Sequence, residues 1–225
     1  NEALNIITEF LKDKLESRYI KIKGFHDLLE FLLTNNYFLF ENKYFKQISG
    51  IAMGTICAPS IANIFLYCLE TKFLTIHKPL FYARYIDDIF IVTKYNFDIN
   101  LLKANFNIKL NINDEEPCQF LDLNIRYCNL LNKFYFSLYI KPTNTFSYLL
   151  TNSNHPSFIF KNIPKSLFIR IRRSCTYESD YFYFSSLLIK HLVNRNYNYE
   201  NLTKIRNRRR NLNQVDLVKY KNKEE

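Results

Sequence analysis

Leu80-Phe81-Tyr82-Ala83-Arg84-Tyr85-Ile86-Asp87-Asp88-Ile89-Phe90-Ile91-Val92-Thr93 places an acidic pair between two apolar runs. Residues 80–84 and 89–93 have the length and side chains of short strands. The stretch reads as a β-hairpin with Asp87 and Asp88 at its tip. Adjacent carboxylates repel one another unless cations neutralise them. Oxygens fixed in this way suit two divalent ions about 4 Å apart, the arrangement used for phosphoryl transfer. In that chemistry one ion acidifies an attacking hydroxyl and the other stabilises departing pyrophosphate. An exposed Asp-Asp turn accounts for the same residues more plainly, because Asp is common in turns.

Working outward, Gly50-Ile51-Ala52-Met53-Gly54 is a loop, and it holds two of the three glycines in the chain. A long apolar helix is expected from Pro59 to Phe73, with Pro59 in its first turn. Upstream, Ala3, Leu4, Ile7, Phe10, Leu11 and Leu15 recur at helical spacing. A second helix is expected after Gly24, through Leu28, Leu29, Leu32 and Leu33. Residues 37–40 and 44–48 read as strands around Glu41-Asn42-Lys43. Downstream, 99–106 reads as helix and 108–112 as extended. Residues 120–127 and 134–140 read as a hairpin around Asn129-Leu130-Leu131-Asn132. Helices are expected near 163–174, 179–195 and 200–212, followed by a polar tail.

Charge divides the chain at the same place as the change from strands to helices. Residues 1–140 carry 15 Lys/Arg and 15 Asp/Glu, whereas residues 141–225 carry 16 and 6. The net charge of +10 therefore lies in the last third. A segregated basic lobe suits a polyanion, because phosphate contacts release counterions. It equally suits a solvated surface that favours solubility. Aromatic residues make up 17% of the chain, but abundant Asn, Lys, Ile, Phe and Tyr are also what an AT-rich coding sequence produces. The five cysteines form no C-x-x-C pair and their number is odd, which points to a reducing, intracellular compartment. The four histidines form no zinc pattern. The longest apolar stretch, 56–69, is interrupted by Pro59, Ser60 and Asn63, and spanning a bilayer takes about 20 apolar residues.

The order of these blocks resembles a known family. Gly54-Thr55-Ile56-Cys57-Ala58-Pro59, followed about thirty residues later by Arg84-Tyr85-Ile86-Asp87-Asp88-Ile89-Phe90, resembles motifs B and C of reverse transcriptases. Residues 44–94 look most like the polymerases of Penelope-like retroelements, a group similar to telomerase catalytic subunits. Phe120-Leu121-Asp122-Leu123 resembles the primer-grip hairpin of the family. Tyr139 to Thr145, Tyr148-Leu149, Ser153 to Pro156, Ile163 to Ser166 and Arg170 to Cys175 continue the resemblance, to about residue 195.

The resemblance implies RNA-templated DNA synthesis with two Mg²⁺ ions, an RNA template, a DNA primer and deoxynucleoside triphosphates. It implies Asp87 as a metal ligand and Asp88 as the second carboxylate, with Tyr85, Phe120 and Leu121 near the primer. Met53 and Gly54 would line the incoming nucleotide, where glycine permits close backbone approach. Core filler for Met53 and an ordinary loop glycine are the plainer alternatives. Lys109 falls where motif D would sit and would protonate the leaving pyrophosphate, or is a solvated lysine at a strand end. Arg170, Arg172 and Arg173 would touch the nucleic-acid backbone. The run Lys204, Arg206, Arg208, Arg209, Arg210 fits nucleic-acid binding, nuclear targeting or a solvated helix face.

The expected fold is α+β: a partial polymerase palm over 1–142, an antiparallel sheet with backing helices, then a helical basic thumb over 143–212 and a polar tail over 213–225. The motif A aspartate and the fingers of the family have no counterpart in these residues. Met53 is the only methionine, so Asn1 reads as lying inside a longer reading frame or after a cleavage. No G-I-Y…Y-I-G endonuclease signature follows the thumb. The expectation is therefore a palm–thumb piece that is inactive alone, from a truncated gene or a degraded element. A non-catalytic RNA- or DNA-binding remnant is the alternative. A basic helical interaction module would explain only the last third.

Overall fold

The computed structural model describes residues 2–16, 18, 20–48, 50–94, 112–113 and 116–218. The chain is mixed α and β and divides into two compact units, 1–111 and 112–225.

In the first unit, α1 (Glu2–Glu16), α2 (Ile22–Thr34) and α3 (Ala58–His77) share one core. Leu4, Ile7, Leu29 and Ile61 are buried in it, and Leu11, Phe25, Leu33 and Phe65 pack around them. The helical spacing of apolar residues in α1 predicts this face. Phe10 departs from the expectation: it is exposed and meets Tyr67 edge-on at 5.5 Å. α2 begins at Ile22 and takes Gly24 into its first turn rather than starting after it. α3 carries Pro59 in its first turn as expected and continues past Phe73 to His77. Lys78 then ends it in the left-handed conformation, with its N–H on the Leu74 carbonyl at 3.2 Å.

Two hairpins complete this unit. β1 (Tyr37–Phe40) pairs with β2 (Lys43–Lys46) across Glu41-Asn42, and both loop residues have positive φ, 47° and 60°. A two-residue loop of that kind matches the twist of the strands it joins, so Lys43 pairs with Phe40 instead of lying in the turn. β3 (Phe81–Tyr85) pairs with β4 (Asp88–Val92), with Tyr85 opposite Asp88. The fully buried Phe73 of α3 packs on Ile91 of β4.

The second unit joins a three-stranded antiparallel sheet to four helices. The strands are β5 (Cys118–Phe120), β6 (Leu123–Cys128) and β7 (Lys133–Leu138). The helices are α4 (Ser157–Ser174), α5 (Glu178–Val193), α6 (Tyr199–Arg210) and α7 (Gln214–Val218). β7 packs on α4 and α5. Leu138, Phe168, Ile171, Tyr181, Leu188, Leu192 and Leu202 belong to one buried cluster. Phe136 and Thr176 exchange two hydrogen bonds, 2.8 and 2.9 Å, which clip β7 to the α4–α5 linker.

Several expectations shift here. Among the described residues the strands make three small sheets rather than one. The change from strands to helices falls after β7 as read from charge, but the compact unit starts earlier and includes the hairpin strands. Leu121 takes φ +54° and turns the chain, so β5 and β6 replace one continuous strand from 120. α4 starts at Ser157, and Pro164, read as an early helix residue, lies buried inside it. Proline there cannot donate to the carbonyl four residues back. The expected elements at 99–106 and 108–111 lie outside the described residues. No helix among the described residues is long and apolar enough to cross a membrane. All five cysteines are free. Burial pushes the Cys175 thiol up to about 11.

Phe168 is fully buried in the second core, whereas Leu131 stands exposed in the β6–β7 loop. Phe168→Ala is expected to destabilise the second unit by about 3–5 kcal/mol. Leu131→Ala should cost less than about 0.5 kcal/mol. Urea unfolding followed by circular dichroism checks both, since the chain has no Trp to report by fluorescence.

Candidate functional site

The acidic pair sits where the sequence placed it. Ile86 and Asp87 form the loop between β3 and β4, and Asp88 opens β4. Tyr85, Ile86, Asp87 and Asp88 are all exposed. Ile86 has φ +57°. A β-branched side chain is disfavoured in that region by about 1–3 kcal/mol, so surrounding contacts must hold the turn.

Those contacts come from β3 and α3. The Arg84 guanidinium donates through Nη1 to the Ile86 carbonyl at 2.9 Å and to Asn63 Oδ1 at 2.8 Å. Nη2 lies 3.4 Å from the Asn63 carbonyl. Nε pairs with Glu70 Oε1, which also accepts from the Tyr82 hydroxyl at 2.8 Å. Tyr82 and Arg84 alternate on β3 and so share a face. Asn63 and Glu70 lie two turns apart on α3 and share another. Glu70 is buried. Burial first, then the hydrogen bond to Glu70, pushes the Tyr82 hydroxyl well above its ordinary range. Sequence reading missed this network, although one signal was present: Glu70 is the only carboxylate of α3 and follows the apolar run from Ile64 to Leu69.

Met53 and Gly54 lie in the loop before α3. Met53 is fully exposed, so it is not core filler. Gly54 has φ +91°, and a Cβ there would meet no atom within 4 Å. With Asn36, Tyr37, Phe38, Gln47, Ala52 and Thr55 they line a cleft that includes neither Asp87 nor Asp88. Lys109 lies outside the described residues. Two carboxylates from one turn are too few for a pair of Mg²⁺ ions, which demand near-octahedral oxygen shells. Among the described residues no group of three His, Cys, Asp or Glu side chains comes together to hold a metal. The described residues therefore do not fit the two-ion centre by themselves.

In the second unit, Phe120 ends β5 half-buried, and Leu121 is exposed in the turn that follows. The next residue, Asp122, receives Arg170 in a bidentate pair at 3.0 and 2.7 Å. The three expected backbone arginines do not form one free face. Arg172 is half-buried, donates to the Leu212 carbonyl at 3.2 Å and lies over the Tyr181 ring. Arg173 is exposed with no side-chain partner among the described residues. The basic run on α6 is divided in the same way. Arg206 and Arg210 lie over Phe182 at 5.5 and 5.1 Å. Arg210 also pairs with Glu178 and holds that carboxyl below its usual range. Lys204 and Arg208, one turn apart, are exposed.

Breaking a buried pair leaves one charge desolvated without compensation. Glu70→Ala is therefore expected to destabilise the first unit by about 3–5 kcal/mol. The double variant Glu70→Met, Arg84→Met should recover most of that loss. Denaturant midpoints of the two variants measured side by side check this.

Residues 147–207, about a quarter of the chain, match the model of a family described as an animal helix-turn-helix domain. The match spans α4, α5 and most of α6. No curated protein and no solved structure matches the chain.

Proposed function

We propose that the chain is a palm-and-thumb segment of a reverse transcriptase and that it binds a primed RNA–DNA duplex. The observation that carries this reading is the exposed Asp87-Asp88 turn, anchored to a helix and preceded by the Met53–Gly54 loop in the order the family uses. In this reading Asp87 and Asp88 supply part of the carboxylate set for nucleotidyl transfer, and Tyr85 lies beside the primer terminus. The β5–β6 turn at Leu121 guides the primer strand. Partners are an RNA template, a DNA primer and deoxynucleoside triphosphates. Among the described residues the turn gathers too few carboxylates to extend a primer.

A second reading is a non-catalytic DNA-binding module of helix-turn-helix type. The similarity over residues 147–207 favours it, and the exposed Lys204 and Arg208 on α6 suit either partner.

The test is anisotropy of labelled RNA–DNA hybrid, duplex DNA and single-stranded RNA over a salt series. The first reading expects the hybrid to bind best. Arg173→Ala, Lys204→Ala and Arg208→Ala should each flatten the salt slope by about 1, as loss of a phosphate contact does. Duplex DNA bound ahead of the hybrid, with preference for one sequence, would favour the second reading. Primer extension by residues 1–225 that vanishes in Asp87→Ala would overturn the claim that they are insufficient.

A further inference from the structure

We propose that Arg84, with Asn63 and Glu70 of α3, positions the acidic turn, so that the helix and not the hairpin sets where Asp87 and Asp88 stand. The functional importance of this rests on the polymerase reading of that turn; the structural claim does not. Three observations converge. First, Ile86 occupies a backbone region that its branched side chain disfavours. A two-residue loop strained in this way relaxes unless something outside the loop holds it. Second, the Ile86 carbonyl is held by Arg84 Nη1 at 2.9 Å. Third, the guanidinium is not free to swing, because Asn63 and Glu70 fix its Nε, Nη1 and Nη2 edges from positions two turns apart on one helix.

The chemistry of the group matters. A guanidinium is a rigid planar fork with five donors, and it can address a carboxylate, an amide and a peptide carbonyl at once. An ammonium is a point charge on a flexible stem and cannot hold all three in a fixed relation. An arginine just before an acidic pair would otherwise be read as a phosphate ligand. Here its nitrogens are already committed inside the fold, and its side chain is only 12% exposed. Its role is to transmit position.

The same helix begins three residues after the loop ends at Thr55, and that loop is stitched to it by the Ala58 N–H on the Thr55 carbonyl at 3.0 Å. α3 thus carries the Met53–Gly54 loop at one end and the anchor of the acidic turn along its length. A shift of α3 moves both. The helix acts as a ruler between the residues assigned to the incoming nucleotide and those assigned to the reaction.

The test uses the chain of residues 1–225, labelled with ¹⁵N, with backbone order parameters measured for Ile86, Asp87 and Asp88. In the wild type these should be near 0.85, the value of rigid backbone, and in Arg84→Lys they should fall below about 0.6. Asn63→Ala, a milder change, should lower the Ile86 and Asp87 values while the amides of α1 and α2 keep theirs. That pattern separates positioning from a general loss of fold. Order parameters at the turn that stay at wild-type values in both variants, with the fold intact, would overturn the proposal. Hybrid binding measured on the same samples judges the polymerase reading separately. A wild type that binds no hybrid removes that reading and leaves the order parameters to decide the anchor.

Discussion

The buried pair between Glu70 and Arg84 is the constraint on which the first unit turns. Two charges removed from water are costly unless further hydrogen bonds satisfy the groups that remain. Tyr82 donates to the Glu70 carboxylate and Asn63 accepts from Arg84, which supplies bonds of that kind. A two-stranded hairpin is marginal by itself in water. β3 and β4 are held because one face docks on α3 through this network and through Phe73 against Ile91. The strained turn is then tolerated, and the carboxylates stand exposed at a defined place. Polar contacts fix the register here and apolar burial supplies the adhesion, which is the usual division of labour between directional and non-directional forces.

The second unit shows how little formal charge says about free charge. Four of its nine arginines are tied to other parts of the fold. Arg170 closes the β5–β6 turn through Asp122, Arg172 reaches the Leu212 carbonyl, and Arg206 and Arg210 cover Phe182. Such contacts use the apolar stem and the flat guanidinium face as much as the charge. Arg173, Lys204 and Arg208 are among the exposed cations left for a polyanion, as are Lys141, Lys161 and Lys190. A count of basic residues in the sequence therefore overstates the binding surface.

Much of the architecture was legible because it follows from periodicity. The spacing of Leu4, Ile7 and Leu11 made α1 readable, and the apolar runs around Tyr85 to Asp88 made the acidic hairpin readable. What escaped depended on conformations that ordinary residues rarely adopt. Leu121 at φ +54° turns a chain whose side chains otherwise say strand. Pro164 lies inside α4, although proline is over-represented at helix starts. The anchor of the site was hidden for a different reason: Asn63, Glu70, Tyr82 and Arg84 are spread over two elements, and only their packing makes them one group. The committed arginines escaped likewise, since exposure cannot be read from residue type.

The central claim is that the Asp87-Asp88 turn belongs at the end of a primer. The most direct measurement replaces Tyr85, exposed beside that turn, with the photoreactive p-benzoylphenylalanine and irradiates the chain on a primed RNA template. The account predicts a crosslink to the terminal nucleotide of the primer, which moves with the primer end when the primer is shortened. Crosslinks scattered along the duplex, or fixed at one template position whatever the primer length, would contradict it.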